Sequence, residues 1–517
     1  MKRKSLSLVL LMVIVTTLIY PLSFAQVIWV DGGMIGAQQL SGDYTYQEVT
    51  FITGEPVLVK GLISLPTIPA NKDTYTLKYA FTLENTEKGI IIDRSVTYDV
   101  EAIQNGLQTT YSKTLKSYSE TIETPKGTYT LAEGSLFESR IYENTPAVDY
   151  YSGNIYGKRT YYLNGDYMSN EGYVTYDIEV APIIGYSHEW GDSETRVENM
   201  QIDSYVLNDN YTAGGDEPEY VLEWDGTVDL GMSSTQTTNF FYQNIDQQTN
   251  PSYGSYFEVR AEDNVLTYSY DLPVVTDGEI DTTTTKRATG EKRMTTPESV
   301  ILSTQALVSP KILDIGGHWA QNEIFLLTSL GVFDADLNYF VPDASISRLE
   351  FGKAMVVATA GILPVDTSDP LGFKRLRPGT ETQLPFLDVD AQDPDYDYIL
   401  YLKEHDLMSG KNYYFKGDEP LTRAEAIAIM IRALGIQYKA PAPPYSTGYV
   451  DDASIPEWAK DYIYMANEIG LVTGTPDGYI HPNQYVTKAE AAAMIYKFVQ
   501  HLKDEITYDY RDKVLNR

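Results

Sequence analysis

The 517-residue chain contains no cysteine. Disulfide frameworks and thiolate metal sites are thereby excluded. Histidine is scarce, with five in all, and His188 is the only one before residue 276. A multi-histidine metal site is ruled out there, and a histidine-dependent triad would have to use His188. Bases are few against acids: 39 Lys and Arg face 72 Asp and Glu, a formal net charge of −33. Nucleic-acid binding needs a basic footprint, so that class is excluded. Any anionic ligand must be held by a few locally placed bases. No apolar run after residue 25 is long enough to span a bilayer. Neither Gly-x-Ser-x-Gly nor His-Glu-x-x-His occurs.

What is present is globular in composition, with 43% hydrophobic residues and 43 tyrosines. Tyrosine suits strand surfaces that are half buried. Lys2, Arg3 and Lys4 precede the apolar run Leu6 to Tyr20, then Pro21 and the small-residue site Ser23-Phe24-Ala25. Residues 1–25 therefore read as a secretory signal cleaved before Gln26, with an uncleaved anchor as the competing reading.

From residue 26 to 275 apolar and polar residues alternate, as in Thr74-Tyr75-Thr76-Leu77-Lys78-Tyr79-Ala80-Phe81. Turn clusters such as Asn164-Gly165-Asp166 punctuate the runs. This predicts an all-β region of sandwich or barrel type, divided near residue 130 into β domains at 26–130 and 131–275. Residues 276–310 are polar and without apolar period, which predicts a linker. Beyond it the period changes to about 3.6.

The later part repeats itself. Ser347-Arg348-Leu349-Glu350, Thr422-Arg423-Ala424-Glu425 and Thr487-Lys488-Ala489-Glu490 each open an apolar run. Three modules follow, at 311–362, 385–436 and 448–503, with a tail at 504–517. Each starts at an acid: Asp314, Asp388 or Asp451. Each continues with a first helix, a turn-rich loop and a second helix at the tetrad. In the third module Trp458, Tyr462, Met465 and Ile469 fall on one apolar stripe; in the second, Ile427, Met430, Ile431 and Leu434 do. One helix pair cannot bury both faces, so the modules are expected to form one all-α, pseudo-threefold bundle. The architecture is thus multidomain.

Ser347, Thr422 and Thr487 are natural N-caps, and Glu350, Glu425 and Glu490 complete capping boxes. Losing such a cap costs about 0.5–2 kcal/mol. The bases are not so explained. Arg348, Arg423 and Lys488 sit at the positive end of the helix dipole, which disfavours cations by about 0.3–1 kcal/mol. Either they pair with Asp314, Asp388 and Asp451, or they join the helix N-terminus in receiving a carboxylate. Trp319 and Trp458 occupy equivalent places and suit packing or stacking on a sugar ring.

On these residues the modules resemble the S-layer homology domain. The third is the nearest to the pattern, with Trp458-Ala459, Asp477-Gly478-Tyr479-Ile480-His481-Pro482 and its tetrad. The resemblance implies a pseudo-threefold bundle that binds secondary cell-wall polysaccharide, often pyruvylated, in grooves between lobes. Carried over, the ligand contacts are Arg348, Arg423, Lys488, Trp319 and Trp458, with Asp314, Asp388 and Asp451 at the module starts. The second module departs from the pattern: Pro394 stands where Trp458 does, and its loop, Lys411-Asn412-Tyr413-Tyr414-Phe415, lacks Asp-Gly. The expectation is an exported, non-enzymatic protein on a Gram-positive-type wall. No cofactor or metal is expected, and self-association in a surface layer is open. The competing expectation is an anchored polysaccharide hydrolase with a carboxylate pair in the β region. The acids Asp388, Asp390, Asp393, Asp395 and Asp397 do not match a helix-loop-helix calcium site.

Overall fold

In the computed structural model, residues 33–39, 42–66, 72–208, 219–243, 254–281, 283–295, 300–361, 384–390 and 392–506 are described. The expected signal, most of the connection between the first two modules, and the end of the tail lie outside them.

The β region is one antiparallel meander. Its strands are β1 (Met34–Gln38), β2 (Tyr44–Thr50), β3 (Val57–Ile63), β4 (Thr74–Asn85), β5 (Ile90–Asn105), β6 (Gln108–Thr124), β7 (Gly127–Asn144) and β8 (Asp149–Leu163). They continue as β9 (Gly172–His188), β10 (Gly191–Leu207), β11 (Tyr220–Gln243) and β12 (Ser255–Pro273). A small hairpin, β13 (Val275–Thr276) and β14 (Glu279–Ile280), precedes β15 (Arg287–Thr295) and β16 (Val300–Ala306). Each strand from β1 to β12 pairs with its sequence neighbours, and β15 and β16 share the far edge of β12.

Alternation places one face inside. On β4, Leu77, Tyr79, Phe81 and Leu83 are buried while Lys78, Ala80, Thr82 and Glu84 are exposed. Sheets this large coil under their own twist. Here the curl brings the two ends of the meander together: the Asn264 amide donates to the Ile35 carbonyl at 3.0 Å. Much of the interior is apolar, and part of it is ionic. Arg94 lies between Glu48 and Glu120 at 2.9 and 2.8 Å, and Arg140 between Glu138 and Glu194.

Two boundaries differ from the sequence reading. The break expected near residue 130 falls inside β7, which pairs with β6 on one side and β8 on the other. Turn residues cluster there because it is one hairpin among many. The expected linker at 276–310 instead contributes β15 and β16. These are edge strands exposed over most of their length, so nothing selects apolar residues on either face.

The helices are α1 (Gln321–Ser329), α2 (Arg348–Ala360), α3 (Tyr396–Glu404), α4 (Arg423–Leu434), α5 (Lys460–Glu468) and α6 (Lys488–Gln500). α2 packs on α3, α4 on α5, and α6 returns to α1. α4 is largely buried: Ile427, Met430, Ile431 and Leu434 are covered as the stripe predicts, and so are Ala428 and Ile429. The third-module stripe is only part right. Met465 is buried with Ile463 and Ala466, whereas Trp458 lies before α5 in a short 3-10 turn and is exposed.

One apolar core runs from the helices into the end of the sheet, through Ala147, Val148, Tyr150, Tyr186 and Trp190. The tip between β7 and β8 meets α4, where the Ala147 N–H donates to the Ala433 carbonyl at 3.0 Å. The tip between β9 and β10 meets α2, where the Trp190 indole N–H donates to the Ala358 carbonyl at 2.9 Å. Beyond α6, Lys503 lies 4.8 Å from the Phe240 ring centroid of β11. Gly361 closes α2 at φ 74° against the Glu189 carboxylate, a backbone conformation and close approach that favour glycine.

Candidate functional site

The tetrads meet at the end of the helices remote from the sheet. Ser347, Thr422 and Thr487 all cap, each accepting from the N–H of the glutamate three residues on. Glu425 and Glu490 return the bond to the cap N–H at 2.9 Å each, forming full capping boxes. In the first module no such return bond forms, and Glu350 turns to Lys488 instead.

The residues before the caps form a closed backbone ring. Ile346 N–H donates to Val486, Val486 N–H to Leu421, and Leu421 N–H to Ile346, at 2.9, 3.0 and 3.1 Å. The helix starts are closed by bonds that run round the axis in the opposite order. Arg348 and Leu349 N–H donate to the Glu419 and Gly417 carbonyls, Arg423 and Ala424 to Gln484 and Pro482, Lys488 and Ala489 to Ala344 and Pro342. The first-turn donors that could have received a ligand carboxylate are therefore spent within the protein.

None of the three bases forms an ion pair with a module-start acid among the described residues. Each meets the tetrad glutamate of another module: Arg348 with Glu425 at 3.2 Å, Arg423 with Glu490 at 3.8 Å, Lys488 with Glu350 at 2.7 Å. The alternation of bases and glutamates offsets the unfavourable position of a cation at a helix start. The pairs are unequal. The Arg348 side chain is only 4% exposed. It also donates to the Phe415 and Ser409 carbonyls at 3.2 and 3.1 Å. Arg423 and Lys488 are partly open to solvent. Beside buried Arg348 stands Lys411, half exposed, 3.2 Å from Glu425. Sequence reasoning passed over Lys411; its signal was the irregular second-module loop, where Asn412 and Tyr413 adopt φ 52° and 69°. Burial raises the Glu425 carboxyl, but the Thr422 N–H, Arg348 and Lys411 outweigh it and hold it below the usual range.

The module-start acids clamp the loops. Asp314 accepts from Phe340 and Val341 N–H at 2.8 Å each. Asp388 accepts from Phe415 and Lys416 at 2.7 and 2.8 Å, and Asp451 from Ile480 and His481 at 3.0 and 2.9 Å. The second residue of each pair is left-handed: Val341, Lys416 and His481 have φ of 56°, 56° and 53°. Trp319 and Trp458 are 63% and 50% exposed. Among the remaining acids, Asp390 and Asp393 cap the turn N–H groups of Gln392 and Asp395, and Asp395 pairs with Lys353.

His188 belongs to the junction. It stacks 5.7 Å from Tyr186, accepts from the Trp190 N–H at 3.2 Å, and is pushed down to about 3 by burial. The interior carboxylates Glu48, Glu120, Glu138 and Glu194 are buried against arginines. The space beside Arg94 is about 10 Å³, room for one water at most.

Among curated proteins the chain is 28% identical over 191 residues to an amylopullulanase of Thermoanaerobacterium thermosulfurigenes, covering 36% of this chain and 9% of that protein. It is 35% identical over 81 residues to a surface layer protein of Brevibacillus choshinensis, 16% of this chain and 7% of that one. It is 34% identical over 123 residues to a cellulosome-anchoring protein of Acetivibrio thermocellus, 23% of this chain and 26% of that one. The chain thus spans about a quarter or less of the length of each of these relatives. The family comparison falls on the second and third of the repeated segments: residues 385–427 and 448–492 match the S-layer homology domain.

Proposed function

We propose that the chain is an exported cell-surface protein held non-covalently on wall polysaccharide by three S-layer homology modules around a pseudo-threefold axis. The observation that carries this is the match at 385–427 and 448–492 together with the closed ring of backbone bonds and ion pairs, in which residues 344–350 take the same part as the two matched segments. The relatives named for surface layers and cellulosome anchoring support the location. The wall is of Gram-positive type. The polysaccharide lies in the grooves at the ring, its ketal carboxylates, where pyruvylated, on Lys411, Arg423 and Lys488. Arg348 is a structural member of the ring. Trp319 and Trp458 supply exposed indole faces to sugar rings. The sheet is then displayed on the far side and is not an enzyme in this reading.

The hydrolase reading draws on the amylopullulanase relative. Against it, Glu48, Glu120, Glu138 and Glu194 are buried in ion pairs with arginines, and the space beside Glu48 and Glu120 is about 10 Å³, too small for a sugar. The test is co-sedimentation of the chain from Gln26 onward with purified sacculi. Native protein is expected to pellet, and Arg423→Ala with Lys488→Ala to stay in the supernatant at unchanged helicity. Pelleting that survives the double substitution would remove the bases from the site. Failure of the native chain to pellet would remove the anchoring role.

A further inference from the structure

The outer face of the sheet carries a trough that the anchoring site leaves unexplained. It crosses β7, β8 and β9 and encloses about 410 Å³. Register builds it. Phe137 pairs with Tyr156, and Tyr156 with Glu179, giving one wall. Ser135 pairs with Lys158, and Lys158 with Asp177, giving the other. Between them runs the row Leu136, Gly157 and Ile178. Leu136 and Ile178 pack into the interior core, and Gly157 has no side chain, so the floor is bare backbone. Walls two residues apart stand about 7 Å from each other, and three strands span about 10 Å. That is the footprint of roughly two sugar rings laid across the strands.

Two features mark this place. Phe137 and Tyr156 are 44% and 49% exposed, side by side, and rimmed by polar groups, as at recognition sites. The polar walls are also uncommitted. At several other outward positions side chains tie to their neighbours: Thr82 to Asp93, Thr76 and Lys116 to Asp99, Arg287 to Asp271. In the trough Lys158 stands directly opposite Asp177 without an ion pair, and Ser135, Tyr156 and Glu179 make no side-chain hydrogen bond among the described residues.

We propose that this trough binds a neutral glycan. Aromatic faces receive the apolar faces of pyranose rings. Hydroxyls need both donors and acceptors, and Ser135, Tyr156 and Lys158 donate while Asp177 and Glu179 accept. The chain's formal net charge of −33, with two carboxylates beside one ammonium, disfavours polyanions. A peptide strand has no edge to join in mid-sheet, since β8 is paired on both sides. The site is separate from the tetrad ring.

The test is isothermal titration of the chain from Gln26 onward with cellohexaose, maltohexaose and the neutral glycan fraction released from sacculi. These arms separate an external glucan from a wall glycan. Poly-lysine is the fourth arm. Saturable binding to at least one glycan is expected, weakened about tenfold or more in Phe137→Thr with Tyr156→Thr, equivalent to about 1.4 kcal/mol or more. Sacculus pelleting is expected to be unchanged in that variant, which keeps this proposal apart from the anchoring one. Threonine keeps the strand preference. Should the double variant lose its strand spectrum, Lys158→Ala with Asp177→Ala asks the same question from the opposite wall. Absence of glycan binding by the native chain, binding unchanged in the folded variants, or binding to poly-lysine alone would each overturn the proposal.

Discussion

Trp190 is where the sheet and the helices can be separated experimentally. Its indole is 4% exposed and stands edge-on to Phe240, with ring centroids 5.8 Å apart. Its N–H satisfies the Ala358 carbonyl, in the last turn of α2, where helical partners run out. A buried indole covers about 150–250 Å². At about 25 cal/mol per Å² that is on the order of 4–6 kcal/mol, an upper figure because denatured chains already bury some area. Trp190→Ala is therefore expected to cost about 3–5 kcal/mol, in the range of large-to-small core changes. Trp190→Phe keeps most of the area and loses the hydrogen bond, about 1 kcal/mol. The assay is urea unfolding of the chain from Gln26 onward, followed by circular dichroism at the helix and strand bands. Native protein should give coincident transitions, and Trp190→Ala should unfold its helices at lower urea than its sheet. Separate transitions in the native protein, or an unmoved midpoint in Trp190→Ala, would refute the shared core as a source of stability.

Other consequences are as direct. Asp149, beside the tip that meets α4, is raised from 3.8 to about 6 by burial, against one bond from Asn144. Each unit is about 1.4 kcal/mol, so its ionisation destabilises the fold by no more than about 3 kcal/mol at pH 7, less where its edge meets water. Stability from this group is full below pH 4 and lost as pH rises towards 6, so Asp149→Asn should raise the melting temperature at pH 7.5 and not at pH 3.5; an equal effect at both would refute the assignment. Glu425 runs the other way: its carboxyl is lowered, so its contribution is present above about pH 4.5 and lost on acidification. Arg348→Ala removes the buried member of the ring and should cost about 3 kcal/mol in thermal unfolding, by the rule for breaking buried pairs. A loss below the measurement error would show that Lys411 suffices for Glu425. Asp451→Ala frees the Ile480 and His481 N–H groups and should cost about 1–3 kcal/mol, with the third-module loop showing faster amide exchange.

The local features were legible because short-range chemistry fixes them. Thr422 and Glu425 cap one helix whatever surrounds it, and β4 alternates because one face is buried. The ring partners were not legible. Arg348 meets Glu425 across 77 residues, and no local rule names a partner at that distance. The dipole argument showed that the bases needed an anion and left its source open. The helix starts were read as open anion receptors, because the loop carbonyls that close them come from other modules. β15 and β16 were missed because an exposed edge needs no apolar face. Trp190 follows His188 and Glu189 in a turn, where nothing in the pattern shows that α2 covers it.

The closed ring sits at the N-terminal ends of α2, α4 and α6, and the sheet is seated at or just beyond their C-terminal ends. Mechanically these helices are struts of about 18–20 Å each, connected side by side. A pull between the ring and the sheet is divided among them, where a single tether would pass it through one element after another. No strut can lengthen alone without breaking a bond that also closes its neighbour. The failure force of such a joint is set by the joint as a whole, and its extension before failure is short.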